Sequence, residues 1–400
     1  MKIVTAYSGG LDTSCMIPWL KENFGGAEII TFTGDLGQGE DLEAIRQKAL
    51  RTGASKAVVA DLRQEFVDDF IWPAVRAGAL YEGSYPLHTS LGRPLLAKHI
   101  AEVALAEGAD AVSHGCTGKG NDQVRFEVTF QAIAPHLKIV APLRTWELTS
   151  RESEIDYANA RGIPIPVTRE KPYSIDQNLW GCAIEAGIME DLWVEPPADA
   201  WILTKDPITA PRGSVEVTIG YEAGIPVSID GQPMGGIALI EALNELAGTY
   251  GVGRIDMVEN RVVGLKSREV YEAPGASLIH LGHTELERVC LDGATSNYKR
   301  MISRDFANII YDGRWYSPLR EALQAFVNET QRYVTGEVRI RVSAGLAQVT
   351  GRRSPTSLYD EGLATYSHGD TFDRSHAEGF LRLYGLPVKT VAAVRRAGRK

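Results

Sequence analysis

Cysteine is scarce in this chain of 400 residues. Only Cys15, Cys116, Cys182 and Cys290 occur, widely separated and without a CxxC pair. That spacing excludes a disulfide framework and a cysteine-based zinc site, so the thiols are expected to serve as small reduced apolar side chains. Long apolar runs are also missing, and no stretch approaches the roughly 20 residues needed to cross a bilayer. Nor is there an excess of basic charge: Lys and Arg total 42 against 51 Asp and Glu, for a net charge of −9. An acidic balance argues against a nucleic-acid partner, which needs a basic face to neutralise phosphates. The first residues, Lys2-Ile3-Val4-Thr5-Ala6-Tyr7, read as a strand and lack a signal-peptide layout. The expectation is a cytoplasmic protein with no membrane partner.

What is present is ordinary globular material, 44% hydrophobic and 23% charged. At this length two or three domains are expected, because single cores rarely grow beyond about 250–300 residues. Over the first 165 or so residues short apolar runs alternate with segments of helical period. Lys2–Tyr7, Glu28–Gly34, Lys56–Asp61, Ala109–His114 and Lys138–Ala141 read as strands. Thr13–Asn23, Glu40–Arg51, Leu91–Glu107 and Gln123–Ala134 read as helices. Such alternation predicts right-handed crossovers and a doubly wound parallel sheet, the α/β class. The prolines in Gly162-Ile163-Pro164-Ile165-Pro166-Val167 end the pattern. Beyond them hairpins and helices mix, as in an α+β domain, with strands at Glu216–Tyr221, Pro226–Ile229 and Glu337–Val342 and a helix at Ile237–Ala247. Ser343-Ala344-Gly345 turns the last of these strands back into a second one ending at Val349. A last segment holds a helix around Arg374–Tyr384 and a basic tail, read as a solvated or frayed terminus. The expected division is 1–166, 167–357 and 358–400, the last being an oligomerisation segment too short for its own core.

The strongest chemical signal is Ala6-Tyr7-Ser8-Gly9-Gly10-Leu11-Asp12-Thr13-Ser14, which follows the first strand and opens the first helix. Two glycines allow a tight turn that aims N–H groups at an anion. Ser8, Thr13 and Ser14 add hydroxyls, and the helix N-terminus adds positive dipole. The loop is neither a GxxxxGK[ST] phosphate loop, since it has no Lys, nor a GxGxxG dinucleotide fingerprint. A second polar loop, His114-Gly115-Cys116-Thr117-Gly118-Lys119-Gly120-Asn121-Asp122-Gln123-Val124-Arg125-Phe126, follows a later strand. By the rule that ligands sit at the carboxyl ends of such strands, it is expected to face the first loop. Lys119 and Arg125 suit carboxylates or phosphates, and Asp122 suits an ammonium, a set fitted to amino-acid ligands.

Ser8-Gly9-Gly10-Leu11-Asp12-Thr13-Ser14 is similar to the signature of N-type ATP pyrophosphatases, which cleave ATP between its α- and β-phosphates. The second loop narrows this, because GxTGKGNDQVRF resembles the argininosuccinate synthase family. Asp35–Glu40, Tyr81-Glu82-Gly83, Arg93-Pro94-Leu95, Glu170–Ser174, Gly251–Arg254, Val258–Arg261, Lys266-Ser267-Arg268, Tyr271-Glu272 and Gly351-Arg352 extend the likeness over nearly the whole chain. It implies ligation of citrulline and aspartate with ATP through a citrullyl-adenylate, giving argininosuccinate, AMP and diphosphate. It also implies Mg²⁺ and a homotetramer. Carried over by position, Ala6–Ser14, Gly34 and Gly115 contact ATP, and Thr117, Asn121 and Asp122 hold aspartate. Tyr85, Ser90, Asn121, Arg125, Ser174, Glu259 and Tyr271 hold citrulline, with Asp12, Asp122 and Arg125 as the catalytic set. Asp12 or Asp122 is the candidate to position the metal, and no full ligand set is assigned. One position departs: Ala183 stands where many relatives have a citrulline-binding serine, so that contact falls to Cys182 or water, or is lost. Gly34, where some relatives have alanine, is a milder change. Two other readings compete, a tRNA-modifying ATP pyrophosphatase and a nucleotide-binding sensor without catalysis. The first needs a basic surface and a cysteine pair. The second leaves the second loop unexplained.

Overall fold

The computed structural model describes residues 1–164, 173–185 and 187–398. Five strands, β1 (Lys2–Ala6), β2 (Glu28–Asp35), β3 (Lys56–Asp61), β4 (Ala111–Ser113) and β5 (Lys138–Val140), form one parallel sheet in the order β3-β2-β1-β4-β5. Helices α1 (Leu11–Asn23) and α2 (Leu42–Thr52) join the early strands. Between β3 and β4 run α3 (Arg63–Glu65), a π-helical turn at Phe66–Ile71, α4 (Trp72–Ala77) and the long α5 (His88–Ala106). α6 (Asp122–Ile133) connects β4 to β5, and α7 (Arg151–Ala160) follows. The α/β expectation holds. The segment Arg63–Ala77 and α7 were not among the expected helices, although Phe66, Val67, Phe70, Ile71, Ala74 and Val75 recur at helical spacing and are buried. Ser150 and Ser153 cap each other's backbone at the start of α7.

The order of the sheet decides where chemistry can occur. It reverses between β1 and β4, which are direct neighbours. The glycine loop leaves the carboxyl end of β1 and the second polar loop leaves that of β4, so the two loops stand side by side at the switch point.

Beyond the parallel sheet lie two antiparallel ones. β6 (Ser174–Asn178), β7 (Gly181–Glu185), β11 (Arg254–Asn260) and β12 (Lys266–Glu272) pair in the order β11-β12-β7-β6. β8 (Ser214–Glu222), β9 (Ile225–Ile229), β10 (Gln232–Pro233), β13 (Gly336–Ser343) and β14 (Leu346–Arg353) form the other, ordered β10-β9-β8-β13-β14. Helices α8 (Gly236–Thr249), α9 (Pro274–Cys290), α10 (Gly293–Tyr311) and α11 (Pro318–Gln331) complete this part. One buried cluster runs from Val4 and Phe32 of the parallel sheet to Tyr311 and Ile340. The chain divides into two compact units, Met1–Thr356 and Ser357–Lys400. The boundary expected at 166 falls outside the described residues, as do Glu170, Lys171 and Pro172 of the family-like motif.

The second unit carries α12 (Glu361–Ala364), α13 (His376–Tyr384) and α14 (Leu386–Ala397). The basic tail, expected to be solvated or frayed, is solvent-exposed and helical to Ala397, with Val388, Val391 and Val394 recurring at helical spacing. These valines are exposed, as are Phe380, Leu381 and Tyr384 of α13.

Candidate functional site

A cavity of about 1020 Å³ opens where the two loops meet. The first loop is shaped by its own side chains. Gly9 takes a left-handed φ of 77°, a backbone state that side-chain-bearing residues resist. Ser8 Oγ accepts from Gly10 N (3.4 Å) and stands 3.2 Å from Thr13 Oγ1. Ser14 Oγ turns inward, donating to Gly10 O at 2.6 Å, and Thr33 Oγ1 donates to Tyr7 O at 2.8 Å. Ala6, Tyr7, Ser8, Gly9, Gly10 and Thr13 line the cavity. Leu11, Asp12 and Ser14 do not: Ser14 is buried behind the turn, and Asp12 is solvent-exposed in the first turn of α1. Asp12 instead shares a hydrogen bond with Glu154 of α7, whose carboxyl is pushed up to about 8 by burial and then by that neighbour.

Gly34 and Gly115 also line the cavity. A side chain at Gly34 would begin 2.5 Å from Leu96 Cδ2 and 2.9 Å from Leu62 Cδ1, flexible ends that must shift to admit an alanine.

The second loop starts from a buried anchor. His114 Nδ1 accepts from Cys116 N (3.2 Å), while Nε2 faces Glu127 Oε1 at 3.0 Å. Burial, then the adjacent Arg144, holds the imidazole neutral with its pKa lowered to about 4. The Cys116 thiol is pushed well above its ordinary value by burial and by Asp122, so it is no ready nucleophile.

At the end of this loop lies a charged chain. Arg125 Nη1 donates to Asp122 Oδ1 (2.8 Å), Arg93 Nε donates to Asp122 Oδ2 (2.8 Å), and Arg93 Nη2 reaches Asp176. Burial raises the Asp122 pKa, but the two guanidiniums outweigh it and hold the carboxyl below its usual range. Asp176 shares Arg93 only at one end, and burial leaves it raised. Asp122 therefore meets the cavity as a carboxylate already held on both oxygens.

A third group comes from the antiparallel sheet. Glu259 accepts from Tyr271 OH at 2.8 Å and from Tyr311 OH, and Asn121 Nδ2 donates to the same Tyr311 oxygen at 2.8 Å. Tyr85 and Tyr271 stack with ring centres 3.9 Å apart and planes 3° apart. Ser174 and Ala183 sit on paired strands beside them, and Thr117, Asn121, Asp122, Arg125, Tyr85, Glu259 and Tyr271 all line the same cavity. Ser90 does not line it; it lies buried in the first turn of α5 with no hydrogen-bond partner on Oγ. Cys182 is no substitute for the absent serine hydroxyl. Successive strand residues face opposite sides of a sheet, and Cys182 packs with Ile184 and Val270 in a separate buried cluster.

Several groups at or just behind the cavity lining escaped sequence reasoning. Arg93 and Arg261 were legible only as parts of family-like motifs, and Asp176 was not singled out. Tyr311, at the end of a helix, gave no signal. Arg261 bridges Glu185 and Glu269 at 2.6 Å each, and Glu185 is raised to about 7 by burial and Glu269 against the pull of Arg261.

Comparison with known proteins accords with this site. Residues 2–164 match the arginosuccinate synthase N-terminal HUP domain, and residues 173–391 match the arginosuccinate synthase C-terminal domain. The argininosuccinate synthase of Chlorobaculum tepidum is 57% identical over 396 residues, covering 99% of each chain. That of Chlorobaculum parvum is 57% identical over 98% of each chain, and that of Chlorobium phaeobacteroides is 55% identical over 100% of this chain and 99% of its own. A solved U34-tRNA thiolase from Methanococcus maripaludis reaches a TM-score of 0.26 at 15% identity over 42% of this chain and 61% of its own, too slight a likeness to bear on function. No helix among the described residues is long and apolar enough to cross a membrane. Two matching domains, full-length relatives and a cavity floored by both glycine loops place this chain in the argininosuccinate synthase family, ATP-dependent ligases that join citrulline to aspartate in arginine biosynthesis.

Proposed function

We propose that this cavity adenylates citrulline on its ureido oxygen and then admits the aspartate amine, with residue roles divided among the three groups that line it. The first loop, with Gly34 and Gly115, takes ATP. Glu259, between two tyrosine hydroxyls, receives citrulline's ammonium, and the stacked Tyr85–Tyr271 pair walls its aliphatic chain. Asn121, Arg125, Ser174 and Ala183 complete the citrulline pocket, and Ser90, outside its lining, is not given a contact there. Thr117, Asn121 and Asp122 take aspartate, with Asp122 kept ionised by Arg93 and Arg125. Adenylation turns a poor leaving oxygen into AMP, and holding both amino acids beside the α-phosphate supplies rate through orientation. The observation that carries this reading is one cavity lined at once by Gly9, Asp122 and Glu259.

Magnesium belongs to the same reading, as an ion that neutralises charge on the phosphates. Asp122 does not fit as its ligand, since both oxygens face arginines. Among the described residues no three His, Cys, Asp or Glu side chains converge on a metal position. Asp12 does not fit either, because it lies outside the cavity lining and shares a hydrogen bond with Glu154.

The three-part division 1–166, 167–357 and 358–400, a homotetramer and a cytoplasmic location complete the proposal. Exposed apolar residues of α13 and α14 support subunit packing. A chain ending at residue 388 is expected to scatter light as a smaller species, and an unchanged mass removes that role from the tail. The reaction is tested with citrulline labelled with heavy oxygen at the ureido group: the label is expected in AMP, and its absence there rejects the adenylated intermediate.

A further inference from the structure

Between Ala6 and Ser14 there is no lysine or arginine. Departure of pyrophosphate nevertheless builds negative charge that fixed donors or cations must meet. The fold brings a cation to the back of the loop from the next helix. Lys48, in α2, donates from Nζ to Gly9 O at 2.6 Å. Its side chain is half-buried, burial pushes its pKa below the ordinary lysine value, and no carboxylate forms a salt bridge with it among the described residues. A desolvated ammonium without an anion is costly unless an anion comes to it.

The contact also sets direction. A trans peptide points its C=O and N–H opposite ways, and no cis bond occurs in the described chain. Holding Gly9 O toward Lys48 therefore turns Gly10 N–H the other way, to the side where Ser8 Oγ stands at the cavity. α2 is a firm support for this. Asp41 caps it by accepting from Ala44 N at 2.9 Å, and Ile45 Cγ1 lies 3.2 Å from where a side chain on Gly9 would begin.

We propose that Lys48 is a positioning residue of the pyrophosphate loop, orienting the Gly9–Gly10 peptide and supplying from α2 the positive charge that the loop lacks. This rests on the reading that the loop holds the β- and γ-phosphates of ATP.

Calorimetry on the full chain with inorganic pyrophosphate and with AMP tests it. Lys48→Met is expected to weaken pyrophosphate at least tenfold, or about 1.4 kcal/mol, while AMP changes less than twofold. Lys48→Arg is expected to recover most of the loss. Lys48→Gln keeps a donor without the charge; wild-type pyrophosphate affinity in that variant overturns the charge role, and parallel loss of AMP and pyrophosphate overturns the positioning role. Gly9→Val separates the two readings. If it abolishes pyrophosphate binding while Lys48→Met leaves it intact, Lys48 alone is misassigned. If Gly9→Val changes nothing, the loop reading falls.

Discussion

Ala183 is the direct cross-strand partner of Tyr271, and both line the cavity. On its other side Ala183 pairs with Asp176. A residue at this position is thus fixed by two strands beside the tyrosine stack, with its Cβ toward the ligand space.

Ala183→Ser is expected to add one neutral hydrogen bond, worth about 0.5–1.5 kcal/mol. The KM for citrulline should fall roughly two- to tenfold, with kcat little changed. Steady-state kinetics at saturating ATP and aspartate checks this; a higher citrulline KM shows that the site prefers the smaller residue.

Tyr311→Phe removes one of the two hydroxyls that stabilise ionised Glu259. Burial raises the Glu259 pKa, and Tyr311 and Tyr271 counter it. With one donor gone the pKa rises further, so the ionised form that binds an ammonium is lost at a higher pH. The acid limb of kcat/KM for citrulline should move to higher pH, and an unmoved limb argues that Glu259 does not bind the ammonium.

Arg93→Met leaves Asp122 and Asp176 facing each other without their shared cation. Breaking a buried pair in this way costs about 3 kcal/mol or more, and the side chain is only 18% exposed. A melting temperature lowered by several degrees and a raised aspartate KM are expected. Arg93→Lys should restore part of the stability and less of the aspartate affinity, since a point charge does not span both carboxylates.

Glu154→Gln isolates the carboxyl pair beside the glycine loop. Glu154 rises from 4.5 to about 8, so the folded state keeps a proton that the unfolded chain gives up. The stability of the wild type linked to this group is fully present below about 4.5 and is lost as pH rises through about 8. The melting temperature of Glu154→Gln relative to the wild type should therefore climb between pH 5 and 9. Differential scanning calorimetry across that range decides it, a flat difference being the contrary result.

The two glycine loops were readable without a structure because turns, helix starts and strand periods are set by neighbouring residues. The α/β class followed from the same local regularity. What is local in the site was therefore visible: Ser8 to Thr13 around one turn, and Thr117 to Arg125 around another. What is distant was not. Arg93 meets Asp122 across 29 residues and Asp176 across 83, and Tyr311 meets Asn121 across 190. Lys48 reaches Gly9 over 39 residues, from a helix face that looks merely solvated in one dimension. No spacing rule links such pairs, because their approach is decided by how the sheet order and the helices pack. The sequence by itself determined which backbone turns can cradle an anion. Only the tertiary structure decided which charges stand behind them, since burial and partnership arise when separate segments share one low-dielectric space.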